Sequence, residues 1–321
     1  MVLIQYRTDK YAALWITLFI LLTFLVAIVF VGIYGEVEFF FAILKILLVV
    51  GIIIMGLVID LGGVPGQPRI GFKFWDIPGP FVQYLDIPGS LGRFLAFWAV
   101  MNNAVYSFSG IESLSVAAVE TRNPRQNIPK AARRVFARVT IFYVLAVLVV
   151  GMAVASDDQD LNNFSGLASQ SPFVLPATRA GIKVVPSIIN AVVLTSAWSA
   201  GNQSMLAGTR ILYGLAIKKQ APQIFLPTTK WGIPYVCVML QTCIATLAYM
   251  SLSSNSLEVF YWFLDLTTSA VQISWGVISW NHIRLHQALK RQGISRSELI
   301  WSHWWTPYSS WSALIACVLF Y

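Results

Sequence analysis

The sequence predicts an all-α polytopic membrane protein, and three observations carry that prediction. Of 321 residues, 57% are hydrophobic and 11% charged, whereas soluble domains hold about 45–50% apolar and about 25% charged residues. The apolar residues form continuous runs rather than the alternating pattern of a transmembrane barrel. The 12 Trp, 12 Tyr and 20 Phe can furnish aromatic belts at two membrane interfaces. These figures exclude an ordinary water-soluble enzyme, and they exclude a disordered chain, which is poor in aromatics and rich in charge.

A helix needs about 20 apolar residues to cross a bilayer, and the runs predict seven full spans and part of an eighth. Residues 11–32 carry no charge, and the next, Glu36, lies beyond them. Residues 39–59 are interrupted only by Lys45 and end at Asp60-Leu61-Gly62-Gly63. A long loop follows, with turn signals at Pro65-Gly66, Pro78-Gly79-Pro80 and Pro88-Gly89. The third span, 94–119, has Gly110 and polar residues at its middle and is predicted to break near 108–111. Further spans cover 135–155, 186–206, 234–251 and 257–280, with Pro186 and Pro234 at first-turn positions that helices tolerate. Residues 311–321 are apolar but too short to cross.

The net charge of +8 suggests a nucleic-acid partner only until the positions of the cations are considered. Arg122, Arg125, Lys130, Arg133, Arg134 and Arg138 fall in one loop. Arg210, Lys218, Lys219 and Lys230 fall in a second, and Arg284, Lys290, Arg291 and Arg296 in a third. The loop after 155 instead carries Asp157, Asp158 and Asp160. Every second loop is basic, which places those three in the cytoplasm and removes the case for nucleic acid. Carried backwards, the same parity puts residues 1–10 outside, with Arg7 and Lys10 on the wrong flank. The expectation is a chain lacking an odd number of spans in front and ending inside another. Cys237, Cys243 and Cys317 show no paired spacing, so neither a disulfide framework nor a metal site is expected. His282 and His286 have i, i+4 spacing, but no acid or Cys completes a ligand set. Asn163-Phe164-Ser165 is a glycosylation sequon in a predicted outer loop. No phosphate-binding glycine loop and no common hydrolase motif occurs, so no cofactor is expected.

The most informative stretch is Ser107-Phe108-Ser109-Gly110-Ile111-Glu112. A carboxylate inside a span costs about 2.5–3.5 kcal/mol on insertion scales, so Glu112 should face a cavity or a partner rather than lipid. Gly110 and the serines beside it weaken the helix, and irregular backbone at that depth persists only where it lines a cavity or is buried in protein. Two readings stay open: a broken helix exposing backbone groups to a solute, or a small-residue face on which another helix packs. Glu120, in the basic cluster that follows, either braces an inner gate through an arginine or is simply solvated. Ser196, Ser199 and Asn202 are spaced i, i+3, i+6 and form a polar stripe pointing at a solute path or at another helix. Asp265, beside Thr267, Thr268 and Ser269, is a second intramembrane carboxylate.

In sum, these residues resemble a family. Phe108-Ser109-Gly110-Ile111-Glu112, Ala117 to Glu120, Asn123-Pro124-Arg125 and Ile128 to Ala131 are similar to the sixth helix and following loop of fungal amino-acid permeases, of the amino acid–polyamine–organocation superfamily. Further matches follow in order: Tyr34-Gly35-Glu36 with Glu38 and Lys45, Ser199 to Asn202 with Arg210 and Tyr213-Gly214-Leu215, Ala221-Pro222, and Trp231 to Tyr235. The resemblance implies a partial inverted-repeat (5+5) transporter fold in which three helices are missing in front. It implies a proton-coupled importer of amino acids at the plasma membrane, not an enzyme. Substrate would lie between two broken helices, free carbonyls around Phe108, Ser109, Gly110 and Ile111 holding its ammonium group, with Ile111 where fungal members commonly have Thr. Ser107, Ser196, Ser199 and Asn202 would contribute to the site, and Glu112, Glu120 and Asp265 to gating or coupling. Partners would be an amino acid, protons and the lipid bilayer, with the oligomeric state open. The alternative is a non-transporting membrane fragment with at most an association role, since half a site cannot enclose a zwitterion. A receptor or channel is less well supported, because the segment count does not fit a seven-helix receptor and no ring of charges suggests a filter.

Overall fold

The computed structural model describes residues 11–29, 31–65, 68–119, 121–162, 171–182, 184–252, 256–295, 299 and 305–320. Along the chain run α1 (Ala12–Ile28), α2 (Val31–Asp60), α3 (Lys73–Asp76), α4 (Gly89–Phe108), a 3-10 helix Ile111–Val119 and α5 (Pro124–Ala153). They are followed by α6 (Gln159–Asn162), α7 (Leu175–Arg179), α8 (Val184–Ile217), α9 (Tyr235–Ala245), which tightens into a 3-10 segment Thr246–Leu252, α10 (Ser256–Arg291) and α11 (Tyr308–Phe320). Among the described residues, four helices are long and apolar enough to cross a membrane: Gly35–Asp60, Pro124–Ala153, Val184–Ile217 and Tyr235–Leu252. Helices Ala12–Ile28 and Tyr308–Phe320 are apolar but shorter.

Several helices outrun their apolar stretches. Hydropathy starts the fourth span near 135, yet α5 begins at Pro124, with Pro129 inside it. Arg, Lys, Gln and Ala are good helix formers, so the cationic lead-in continues the helix that the apolar part requires. Pro124 occupies the tolerated first position, while Pro129 gives up one ladder bond. For the same reason α10 continues to Arg291, past the end of its apolar run, while α8 runs on to Ile217 through a segment that is itself mostly apolar.

The chain divides into two compact units. The first comprises Met1–Pro80 with Thr140–Ser256. There α8 packs against α1, α2 and α9, and α7 packs against α2. Close approach of α2 to α5 depends on Gly56, where any Cβ would run into the Val149 side chain. Small residues at such crossings let backbones approach where lipid offers no hydrophobic driving force. After α5, Ala153, Val154 and Leu175 form a buried cluster with Leu161 packed on it. Arg179 closes this loop, its Nη1 donating to Asp158 Oδ2 at 2.5 Å and its Nη2 to Asp160 Oδ2 at 2.6 Å. The guanidinium beside Asp158 holds its carboxyl below the usual aspartate range.

The second unit comprises Phe81–Val139 with Leu257–Tyr321. Here α11 packs on α4, with the Trp98 and Phe320 ring centroids 4.9 Å apart. Gln272 of α10 donates to the Phe320 carbonyl at 3.3 Å, and His282 Nδ1 lies 2.7 Å from Ser310 Oγ.

Candidate functional site

The predicted residues fall in both units, and each group has its own geometry. In the second unit the helix breaks within the predicted stretch. α4 ends at Phe108, Ser109 is extended (φ −61°, ψ 151°), and Gly110 takes φ +93°. That left-handed region is sterically costly for any residue with a Cβ, and glycine enters it freely. The next regular bond is of 3-10 type, Ser113 N–H to Gly110 O at 3.1 Å. The helical ladder is thus interrupted between α4 and the 3-10 segment. The Gly110 carbonyl, expected to be free for a ligand, already accepts that bond, which leaves one lone pair.

Glu112 sits just inside the 3-10 segment and turns back on the break. Its Oε1 accepts the Gly110 backbone N–H at 3.2 Å, and its Oε2 accepts the Trp275 indole N–H at 3.0 Å. The carboxylate therefore caps the orphan amide that the break creates and is held by α10. Ser107 Oγ donates to the Asn103 carbonyl at 2.9 Å, a local bond on α4. Ile111 and Phe108 are half-buried. Asp265 accepts from Asn102 Nδ2 at 2.7 Å, a second polar link between α10 and α4. Asn102 and Glu112 are ten residues apart, as are Asp265 and Trp275. Along α10 the two links are therefore about 15 Å apart at helical rise. Glu120 and Asn163 lie outside the described residues.

In the first unit the polar stripe of α8 meets α2. Ser199 is 1% exposed; its hydroxyl donates to Glu38 Oε2 at 2.5 Å and accepts from Lys45 Nζ at 2.6 Å. Lys45 also donates to Glu38 Oε1 at 3.1 Å, which closes a three-membered ring. Ser199, expected to face a solute path or another helix, thus meets α2, with its only proton committed to an ion pair. Asn202, one turn along, is 6% exposed, and its side-chain oxygen is buried without a hydrogen-bond partner among the described residues. Ser196 is half-buried. A cavity of about 520 Å³ lies between α1, α8 and α9, lined by Thr23, Trp198, Gly201, Ser204 and Gln241 among mostly apolar groups. It uses a face of α8 that excludes Ser196, Ser199 and Asn202. Sequence reasoning marked Glu38 and Lys45 only through family likeness; the missed signal is that an acid and a base seven residues apart share one face of a span.

A multi-helix membrane protein with a glycine-hinged break at the end of α4 is the class these features define. The chain belongs to the amino acid permease family, whose profile matches residues 1–321. That family consists of transporters rather than enzymes. The chain is 42% identical over 287 residues to a proline-specific permease of Emericella nidulans, covering 88% of this chain and 52% of the relative. It is 36% identical to a dicarboxylic amino acid permease of Saccharomyces cerevisiae, over 95% of this chain and 51% of the relative. A lysine-specific permease of the same yeast is 36% identical, over 97% and 51%. The chain spans about half the length of the curated relatives it matches.

Proposed function

We propose that this chain carries the ammonium-binding half of an amino-acid transport site in a proton-coupled importer of the plasma membrane. The observation that supports it best is the break at Ser109–Gly110, inside a family whose named relatives are amino-acid permeases. Carbonyls around Phe108, Ser109, Gly110 and Ile111 would accept the substrate ammonium, as broken helices of secondary transporters do for cations. Ser107, Ser196 and Asn202 would line the path, with Ser199 acting through its ion pair. Glu112, Asp265 and Glu120 would serve in gating or coupling. In this reading the helices form part of two inverted five-helix repeats, with α1 and α2 as the fourth and fifth, the broken α4 as the sixth, and α5, α8, α9, α10 and α11 continuing to the eleventh. The relatives are named for proline, lysine and dicarboxylic amino acids, so the proposal concerns the shared ammonium group and not one side chain.

The test is a chimera in which residues 1–321 replace the matching part of the proline-specific relative, expressed in yeast lacking its own permeases. Saturable uptake of a labelled amino acid that rises as external pH falls is the expected result. Gly110→Val, which cannot hold the break, should abolish it. Full-rate uptake by Gly110→Val at normal surface expression would sink the proposal.

A further inference from the structure

The first turns of α5 bear a one-sided basic face. Lys130, Arg133, Arg134 and Arg138 are exposed and cover about 140° of the helix circumference. On the other side Ile128, Ala131, Ala132 and Val135 are half-buried. Lys130, Arg134 and Arg138 stand at i, i+4, i+8, a row about 12 Å long that begins at the edge of the apolar stretch and leads away from it. No Asp or Glu occurs between Thr121 and Ser156. Membrane orientation requires only that the cations lie on one side of the bilayer. It does not require them to align on one face of a helix with an apolar face opposite, and that arrangement calls for a second explanation.

We infer that this row docks the headgroups of anionic phospholipids in the leaflet that the basic loops face. Each cation one turn further along meets a position further out in the headgroup layer, and their stems can lie along the interface while the charged ends reach phosphate. Clusters of four to eight Lys or Arg next to a span, or on an amphipathic helix, have the composition that binds acidic lipid surfaces. The occupant is a lipid and not a soluble anion because the row grows directly out of the span.

The test places the full chain in phosphatidylcholine vesicles and compares spin-labelled phosphatidylserine with spin-labelled phosphatidylcholine as probes of the lipid shell. The wild type should retain phosphatidylserine several-fold more strongly, and the preference should shrink in high salt. Lys130→Gln/Arg134→Gln/Arg138→Gln should remove the preference, losing at most roughly fivefold per cation. Lys130→Arg/Arg134→Lys/Arg138→Lys should keep it. Arg284→Gln/Lys290→Gln/Arg291→Gln, an equal loss of charge elsewhere, should keep it too. Equal retention of the two lipids by the wild type, or an unchanged preference in the Gln triple variant, overturns the inference. Displacement by millimolar inorganic phosphate overturns it as well, since the site would then be one for small anions. None of these readouts depends on transport.

Discussion

Trp275 donates its indole N–H to one oxygen of Glu112 while the other oxygen accepts the Gly110 amide, so a single carboxylate ties the break in α4 to α10. A hydrogen bond to a charged group contributes about 1.5–3 kcal/mol. Trp275→Phe keeps the ring and removes the donor, so it should lower unfolding free energy by about that amount in detergent. Glu112→Gln should lose at least as much, because its amide oxygen accepts only one of the two N–H groups while its NH2 faces the other donor. Thermal melts of both variants check the order; equal melting temperatures for Trp275→Phe and wild type would remove the link.

The Glu38–Lys45–Ser199 ring gives a contrast between single and double changes. Lys45→Met leaves the Glu38 carboxylate without its counter-charge inside a span, at a cost on the order of 3 kcal/mol. Glu38→Gln/Lys45→Met removes both charges and should be nearer wild type than either single variant. A double-mutant cycle from denaturation curves measures this, and strict additivity would contradict it.

Gly56 fixes the approach of α2 to α5 through its contact with Val149. Gly56→Leu should cost about 1–3 kcal/mol, the usual penalty for overpacking. Gly56→Ala/Val149→Ala should recover part of what Gly56→Ala loses, because the second change vacates the space the first one fills. The check is the melting temperature of the three variants.

The loop after α5 sets an acid limit. Asp158 is held below its ordinary value by Arg179, so in the unfolded chain it takes up a proton at higher pH than in the native one. The stabilisation is fully present above the ordinary aspartate pKa of about 3.9 and is lost as pH falls below that value through the depressed native one. Arg179 is partly exposed, which limits the contribution to about 1 kcal/mol. Stability measured from pH 6 to pH 3 should fall less steeply in Asp158→Asn than in wild type.

The apolar runs made the helical membrane architecture legible, and Ser109-Gly110 made the break legible, because both are local properties of composition and backbone freedom. Helix ends were not: the lead-in of α5 from Pro124 is cationic, and hydropathy cannot distinguish a charged helix from a charged loop. Side-chain partners were hidden for another reason. Glu112 and Trp275 are 163 residues apart, and Ser199 lies 161 and 154 residues from Glu38 and Lys45. Nothing in the order of residues specifies which distant polar group a buried one will meet. Polar residues in spans could be recognised as needing partners, as Glu112 and Asp265 were, but the partners themselves emerge only from packing.

Because the peptide ladder stops at Ser109, torque applied to the segment beyond Gly110 is not handed on to α4. The stub following the glycine can pivot as a separate lever, restrained by the tether from Trp275. Loosening that tether would then change how readily this lever swings.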